Sequence, residues 1–299
     1  MNNVALSTMW GIKKFDTLAE FFKQASALGF TRFELNHGVD SKMMVGMNGY
    51  QITSVHEPCP ADVSANELKN RNWLISATDA FKRRRGVQAI QRSIDLAAKL
   101  GASVVIVHPG KVDIDPALDS KVVELYRQGQ METRDYARRK EQLVTARAVQ
   151  AHANMQSVRQ SIIELAEYAG ERGIKLGLEN RYHYFEIPLP DELEELLRLG
   201  LANVGFWYDV GHAETLDQLG YYPHEEWLKR FAPSIVGTHL HDVIGIDDHQ
   251  FAGSGQVDWD MVARYLPPSA LRTCEFQNFN TPQQVVDGVR WLEQKGCLR

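Results

Sequence analysis

The chain has only three cysteines, Cys59, Cys274 and Cys297, an odd number at unrelated spacings. Neither a disulfide framework nor a thiolate zinc site can be built from them, and a reducing cytoplasm fits such usage. Long apolar runs are also lacking. None approaches the roughly 18 residues that a membrane span needs, and the first residues lack the apolar core of a signal peptide, so neither secretion nor membrane insertion is expected. An excess of positive charge is missing too: 33 Lys and Arg stand against 38 Asp and Glu, a formal charge of −5. That balance exerts no global pull on nucleic acid or anionic lipid. The basic run Lys82 to Arg85 reads as the solvated start of a helix rather than a phosphate contact. No linker, low-complexity tract or sequence repeat interrupts the chain.

What is present is the pattern of an α/β protein. Hydrophobic residues make up 44% and charged residues 24% of 299, enough to fill one large core under a charged surface. Short runs rich in Val, Ile and Leu alternate with longer segments of helical period, the signature of a parallel sheet with crossover helices. Eight strands are expected at about 4–7, 32–35, 52–55, 103–107, 175–178, 204–208, 235–238 and 271–274. Helices are expected at about 18–28, 86–100, 146–171, 191–199, 224–230, 259–265 and 282–294, with left-handed caps at Gly29, Gly101, Gly173 and Gly200. The fold expected is a (β/α)8 TIM barrel forming a single domain over residues 1–299. The stretch near 43–50, rich in Met and Gly, reads as loop or distorted helix. An insertion near 110–145, after the fourth strand, contains a charged helical segment over 121–140 and is expected to shape the substrate pocket.

The residues just after the apolar runs carry the chemistry. His56, His108, Glu179, Asp209, His239 and Glu275 follow the third to eighth strands, so six strands end in a residue able to bind metal. In a barrel these ends meet at one mouth. Burying so many unpaired polar groups would cost several kcal/mol without a compensating cation. His212 follows Asp209 by three residues, and Asp247 and His249, with one residue between them, form a further chelating pair.

The runs SVHEP, VVIVHPG, LGLEN, YDVGH, GTHLHD, DDHQFAGSG and TCEF, in this order and at strand ends, resemble the xylose isomerase-like superfamily of barrels, which includes the endonuclease IV-like nucleases. The isomerase and epimerase branch implies one divalent ion, manganese or zinc, on Glu179, Asp209, His239 and Glu275. Glu179 and Glu275 would also move the proton, and His212 would contact the substrate. Asn180, Arg181 and His183, directly after Glu179 in ENRYHY, are added as substrate-binding candidates. The nuclease branch implies up to three zinc ions, with His56, His108, His212, Asp247 and His249 as additional ligands. The epimerase pattern also places an arginine a few residues beyond the seventh-strand histidine, where this chain reads His239, Leu240, His241, Asp242.

Three functions follow in order of preference. The first is a metal-dependent isomerase or epimerase acting on a sugar or sugar phosphate. The second is a multinuclear phosphoester hydrolase. The third, a barrel that only binds a ligand, is disfavoured by the intact ligand set.

Overall fold

The computed structural model describes residue 1, residues 3–47 and residues 49–299. Eight strands close a barrel: β1 (Ala5–Ser7), β2 (Arg32–Leu35), β3 (Gln51–His56), β4 (Val104–Val107), β5 (Lys175–Glu179), β6 (Val204–Asp209), β7 (Ile235–Leu240) and β8 (Leu271–Cys274). Each pairs in parallel with its neighbours in chain order, and β8 closes on β1. This is the expected (β/α)8 TIM barrel.

Around it lie α1 (Leu18–Ala27), α2 (Ala65–Asn70), α3 (Ala80–Leu100), α4 (Ala117–Arg127), α5 (Arg134–Gly170), α6 (Pro190–Leu197), α7 (Val210–Gln218), α8 (His224–Phe231), α9 (Trp259–Tyr265) and α10 (Pro282–Lys295). The helix starts have a chemical cause. Thr17, Asp79, Thr133 and Thr281 each accept a backbone N–H three residues on, satisfying a donor the helix leaves open. The cap at Asp79 starts α3 at Ala80, six residues before the expected 86, so the basic run lies within the first turns of the helix. Gly29, Gly101, Gly173 and Gly200 all have positive φ, between 68° and 98°, as left-handed caps require.

Three local expectations are corrected. The charged segment over 121–140 is not one helix: α4 stops at Arg127 and α5 starts at Arg134, with Gly129 at φ 70° between them. Helix α5 begins twelve residues before the expected 146 because Thr133 caps it there. Helix α7 was not expected, since it begins directly after the last residue of β6 with no loop to announce it. The stretch near 43–50, expected as loop or distorted helix, has turns over residues 41–46, and Asn48 lies outside the described residues.

Alternation along the strands sends every second side chain into the barrel. Trp207 fills the interior with Val104 and Ile106, and Val236 and Leu271 pack against them. Gly237 makes room for the indole: a Cβ there would lie 2.1 Å from Trp207 Cζ3. The indole is thus a floor under the next layer, its ring edge-on to His239 at 5.2 Å between centroids. Two residues above Gly177, Trp207, Gly237 and Thr273 on the same strand faces come Glu179, Asp209, His239 and Glu275.

The insertion is tied down beside the mouth. Gly110–Lys111 pairs antiparallel with Glu186–Ile187 after β5. Val122, Tyr136 and Leu143 form an apolar cluster with Tyr184, Phe185 and Tyr221 packed against it.

Candidate metal centre

The last inward positions of β5, β6 and β7, with Glu275 just after β8, bring four side chains together. His239 Nδ1 lies 2.7 Å from Glu179 Oε1, 3.2 Å from Glu275 Oε2 and 3.4 Å from Asp209 Oδ2. One donor atom from each of the four lies within 4.8 Å of all the others, and all four residues are buried. Three carboxylates and an imidazole sharing so small a volume form a set that a divalent cation would neutralise. The mix of oxygen and nitrogen suits zinc or manganese.

The electrostatics agree. Burial acts to raise the Glu179 carboxyl, but the charges of His108 and Arg181, with hydrogen bonds from His108 and His239, hold it well below the usual range. Burial likewise acts to raise Asp209, and His212 and His241 overcome it. For His239 burial acts to lower the value, yet Glu275 and Glu34 drive it well above the ordinary imidazole range. Without metal, therefore, protons on imidazoles compensate the carboxylates. A bound metal would displace such protons, since its ligands must be deprotonated.

Around this centre the chain builds two more groups. Glu179 Oε2 lies 2.7 Å from His108 Nε2, and Glu179 Oε1 lies 3.6 Å from His56 Nε2, so these three share a second locus. His212, Asp248 and His249 form a third. Asp209 links the sites: as N-cap of α7 it accepts the His212 N–H at 2.7 Å, so the D-x-x-H spacing places His212 in the helix's first turn.

The third group contains Asp248, where the sequence pointed to Asp247. Asp247 is exposed and pairs with Arg127 at 2.6 Å, whereas Asp248 Oδ1 lies 2.8 Å from His249 Nδ1. His249 has φ 56°, in the left-handed region, and this break puts the adjacent residue beside it.

The substrate-binding expectations divide. Asn180 is fully buried, and both ends of its amide are used on the Asp209 backbone, at 2.8 Å and 2.9 Å. It holds the Asp209 backbone and does not line the mouth cavity. Arg181 donates to Glu179 at 2.5 Å and lines a 270 Å³ cavity at the mouth with His37, His108, His212, His249 and Glu275. His183 sits farther out, against Asp119 at 2.7 Å, and lines an adjoining 230 Å³ cavity with Lys69, Phe185 and Glu186.

Several site residues escaped the reading of strand ends. Glu34 and Asn36, from β2 and the residue after its end, contact His239 and Glu275 at 3.0 Å and 3.1 Å. His241 reaches Asp209 at 3.0 Å. Glu57, buried beside His108, is pushed up to about 7 by its burial, and burial pulls His37 down to about 3.

A closed parallel barrel whose rim concentrates carboxylates and imidazoles defines the class: a (β/α)8 barrel with a candidate metal centre at the C-terminal ends of its strands. The family described as xylose isomerase-like TIM barrel matches residues 22–295, and the chain belongs to it. Among curated proteins it is 28% identical over 188 residues to the uncharacterized protein MJ1311 of Methanocaldococcus jannaschii, covering 62% of this chain and 53% of that one. It is 27% identical over 228 residues to the uncharacterized protein y4fM of Sinorhizobium fredii, covering 75% and 59%. The matches thus span little more than half the length of these two relatives. Among solved structures, a D-tagatose 3-epimerase-like protein superposes at a TM-score of 0.67, with 20% identity and coverage of 99% and 97%. The IolI protein with a bound zinc atom superposes at 0.65, with 13% identity and coverage of 99% and 96%. At these identities the likeness is one of fold.

Proposed function

We propose that the protein is a divalent-metal-dependent isomerase or epimerase acting on a sugar or sugar phosphate, with Glu179, Asp209, His239 and Glu275 holding the metal. The observation that carries this reading is the buried four-residue cluster, one member of which, Glu275, lines a 270 Å³ mouth cavity. A cavity of that size suits a small polyol and not a duplex. The sugar-epimerase-like structures that share this fold favour the same chemistry by analogy.

When bound, the ion would polarise a substrate carbonyl and hydroxyl and so acidify the adjacent C–H. The chain supplies the rest. Glu179 and Glu275 are the proton-transfer pair, one removing the proton and the other returning it. Asn36 donates to Glu275 Oε1 at 3.1 Å and fixes that carboxylate. His249 Nε2, 3.5 Å from Glu275 Oε2, offers a route for the proton to the mouth. Arg181 and His212 line the cavity where substrate hydroxyls would lie.

A second reading, a multinuclear phosphoester hydrolase, is favoured by one observation: the additional groups His56, His108, Glu179 and His212, Asp248, His249. Deuterium exchange distinguishes the two. Protein loaded with manganese or zinc should exchange the proton beside the carbonyl of at least one member of a panel of ketopentoses, ketohexoses and their phosphates in heavy water. No exchange across the panel, with cleavage of a bis-aryl phosphodiester instead, would overturn the isomerase reading in favour of hydrolysis.

A further inference from the structure

We infer that Glu34 is a positioning residue for the metal centre, fixing the tautomer and raising the donor strength of His239. The inference rests on the metal reading above and adds a residue to it. Glu34 lies inside β2, two strands beyond β8 around the closed barrel, and is completely buried. Its Oε1 lies 3.0 Å from His239 Nε2, on the side of the imidazole opposite the cluster of Glu179, Asp209 and Glu275. Its Oε2 accepts a hydrogen bond from Ser54 Oγ at 2.8 Å on the neighbouring strand β3. Both carboxylate oxygens are therefore fixed, one by the ring and one by a hydroxyl anchored in the barrel wall.

A carboxylate only accepts, so Glu34 holds a proton on Nε2, while Glu179 holds a second on Nδ1 in the metal-free protein; only the Nδ1 side faces the cluster. A metal on the cluster side would take the place of the Nδ1 proton and leave the Nε2 proton on its bond to Glu34. The negative charge of Glu34 makes the ring a better donor, and partners of this kind are worth about 10–100-fold in metal affinity. A carboxylate inside a barrel strand, whose hydrogen-bond partners among the described residues are an imidazole and a hydroxyl, would otherwise be a costly group to desolvate. Glu34 does not touch the mouth cavity and is not a catalytic residue.

The experiment measures zinc affinity by chelator competition for the wild type, Glu34→Gln and Ser54→Ala, with circular dichroism to establish folding. Glu34→Gln keeps the shape and an acceptor but removes the charge, and is expected to bind zinc about 10–100-fold more weakly. Ser54→Ala frees one oxygen and is expected to weaken zinc binding in the same direction by a smaller factor. Nitrogen-15 NMR of the zinc-loaded protein should place the remaining His239 proton on Nε2, with the Nε2 signal of the wild type shifted toward a stronger hydrogen bond than in Glu34→Gln, a difference that a merely structural glutamate would not produce. A wild type that binds zinc tightly beside a folded Glu34→Gln of unchanged affinity overturns the inference, as does a His239 proton on Nδ1. If Glu34→Gln does not fold, an unchanged affinity in Ser54→Ala overturns it. A wild type that takes up no zinc contradicts the metal reading itself, a result distinct from all of these.

Discussion

His239 Nδ1 stands 2.7 Å from Glu179 Oε1, joining the ends of two strands, β5 and β7, that flank β6 in the barrel wall. With Asp209 ending the strand between them, three adjacent strands contribute three of the four proposed ligands.

The relationship has a pH consequence. The His239 value is raised well above its ordinary 6.5, first against burial and then through Glu275 and Glu34. A raised folded value contributes stability that is complete below the unfolded value and lost as pH rises through the folded one. Glu179, Glu275 and Asp209 are shifted in the opposite sense, so their contribution is present above about pH 4 and lost on acidification. Metal-free protein should therefore show a thermal midpoint that peaks between these limits and falls above pH 6.5. Zinc should abolish the alkaline fall, because the ion replaces the protons. A midpoint in metal-free protein that is flat or rising from pH 6.5 to 9 would contradict the protonated cluster.

Glu275→Gln retains volume and removes both charge and basicity. Turnover on the substrate eventually found should fall by about 10²–10⁴, the usual range for a general base. The thermal midpoint of the metal-loaded variant should change little by comparison. Near-normal turnover would remove Glu275 from proton transfer.

The additional histidines can be counted. Under zinc excess the wild type should hold more ions than His108→Ala or His249→Ala, each variant losing about one as its ligand group is broken. Equal stoichiometry in all three would assign these side chains to hydrogen bonding rather than metal.

Beneath the site, Gly237 accommodates Trp207. A methyl group placed 2.1 Å from the indole has no free volume to enter, so Gly237→Ala should destabilise the protein by about 1–3 kcal/mol in urea unfolding. Because the indole supports His239, zinc affinity should weaken as well. A variant as stable as the wild type would show that the floor is not close-packed.

The thiols provide a control on burial. Burial pushes Cys59 and Cys297 up to about 12 and Cys274 higher still, so little thiolate exists at pH 8. An aromatic disulfide reagent should find no fast-reacting thiol in the native protein and all three in urea.

Much of this was legible in the chain. The apolar runs, each followed at once by a polar residue, gave the strands to within two residues and put Glu179, Asp209, His239 and Glu275 at one end of the barrel. The misses have local causes. Glu34 lies within its strand, between Phe33 and Leu35, so a reading of the residues after each run passes over it. Asn36 does follow the second run, but it is not a metal-type ligand. Asp248 was hidden by the positive φ of His249, a property of the folded loop rather than of the residue types. That the Asn180 amide closes on the Asp209 backbone is likewise a contact between two strand ends that residue types do not reveal. The insertion's position became clear only with its pairing to Glu186 and Ile187, a contact between segments about 75 residues apart.

The measurement closest to the central claim is elemental analysis after dialysis against excess zinc, comparing the wild type with Asp209→Asn/His239→Ala. This account predicts at least about one ion per wild-type chain and about one fewer in the double variant, because two of four ligands are lost. A wild type with essentially no bound zinc, or a folded double variant holding as much as the wild type, would contradict it.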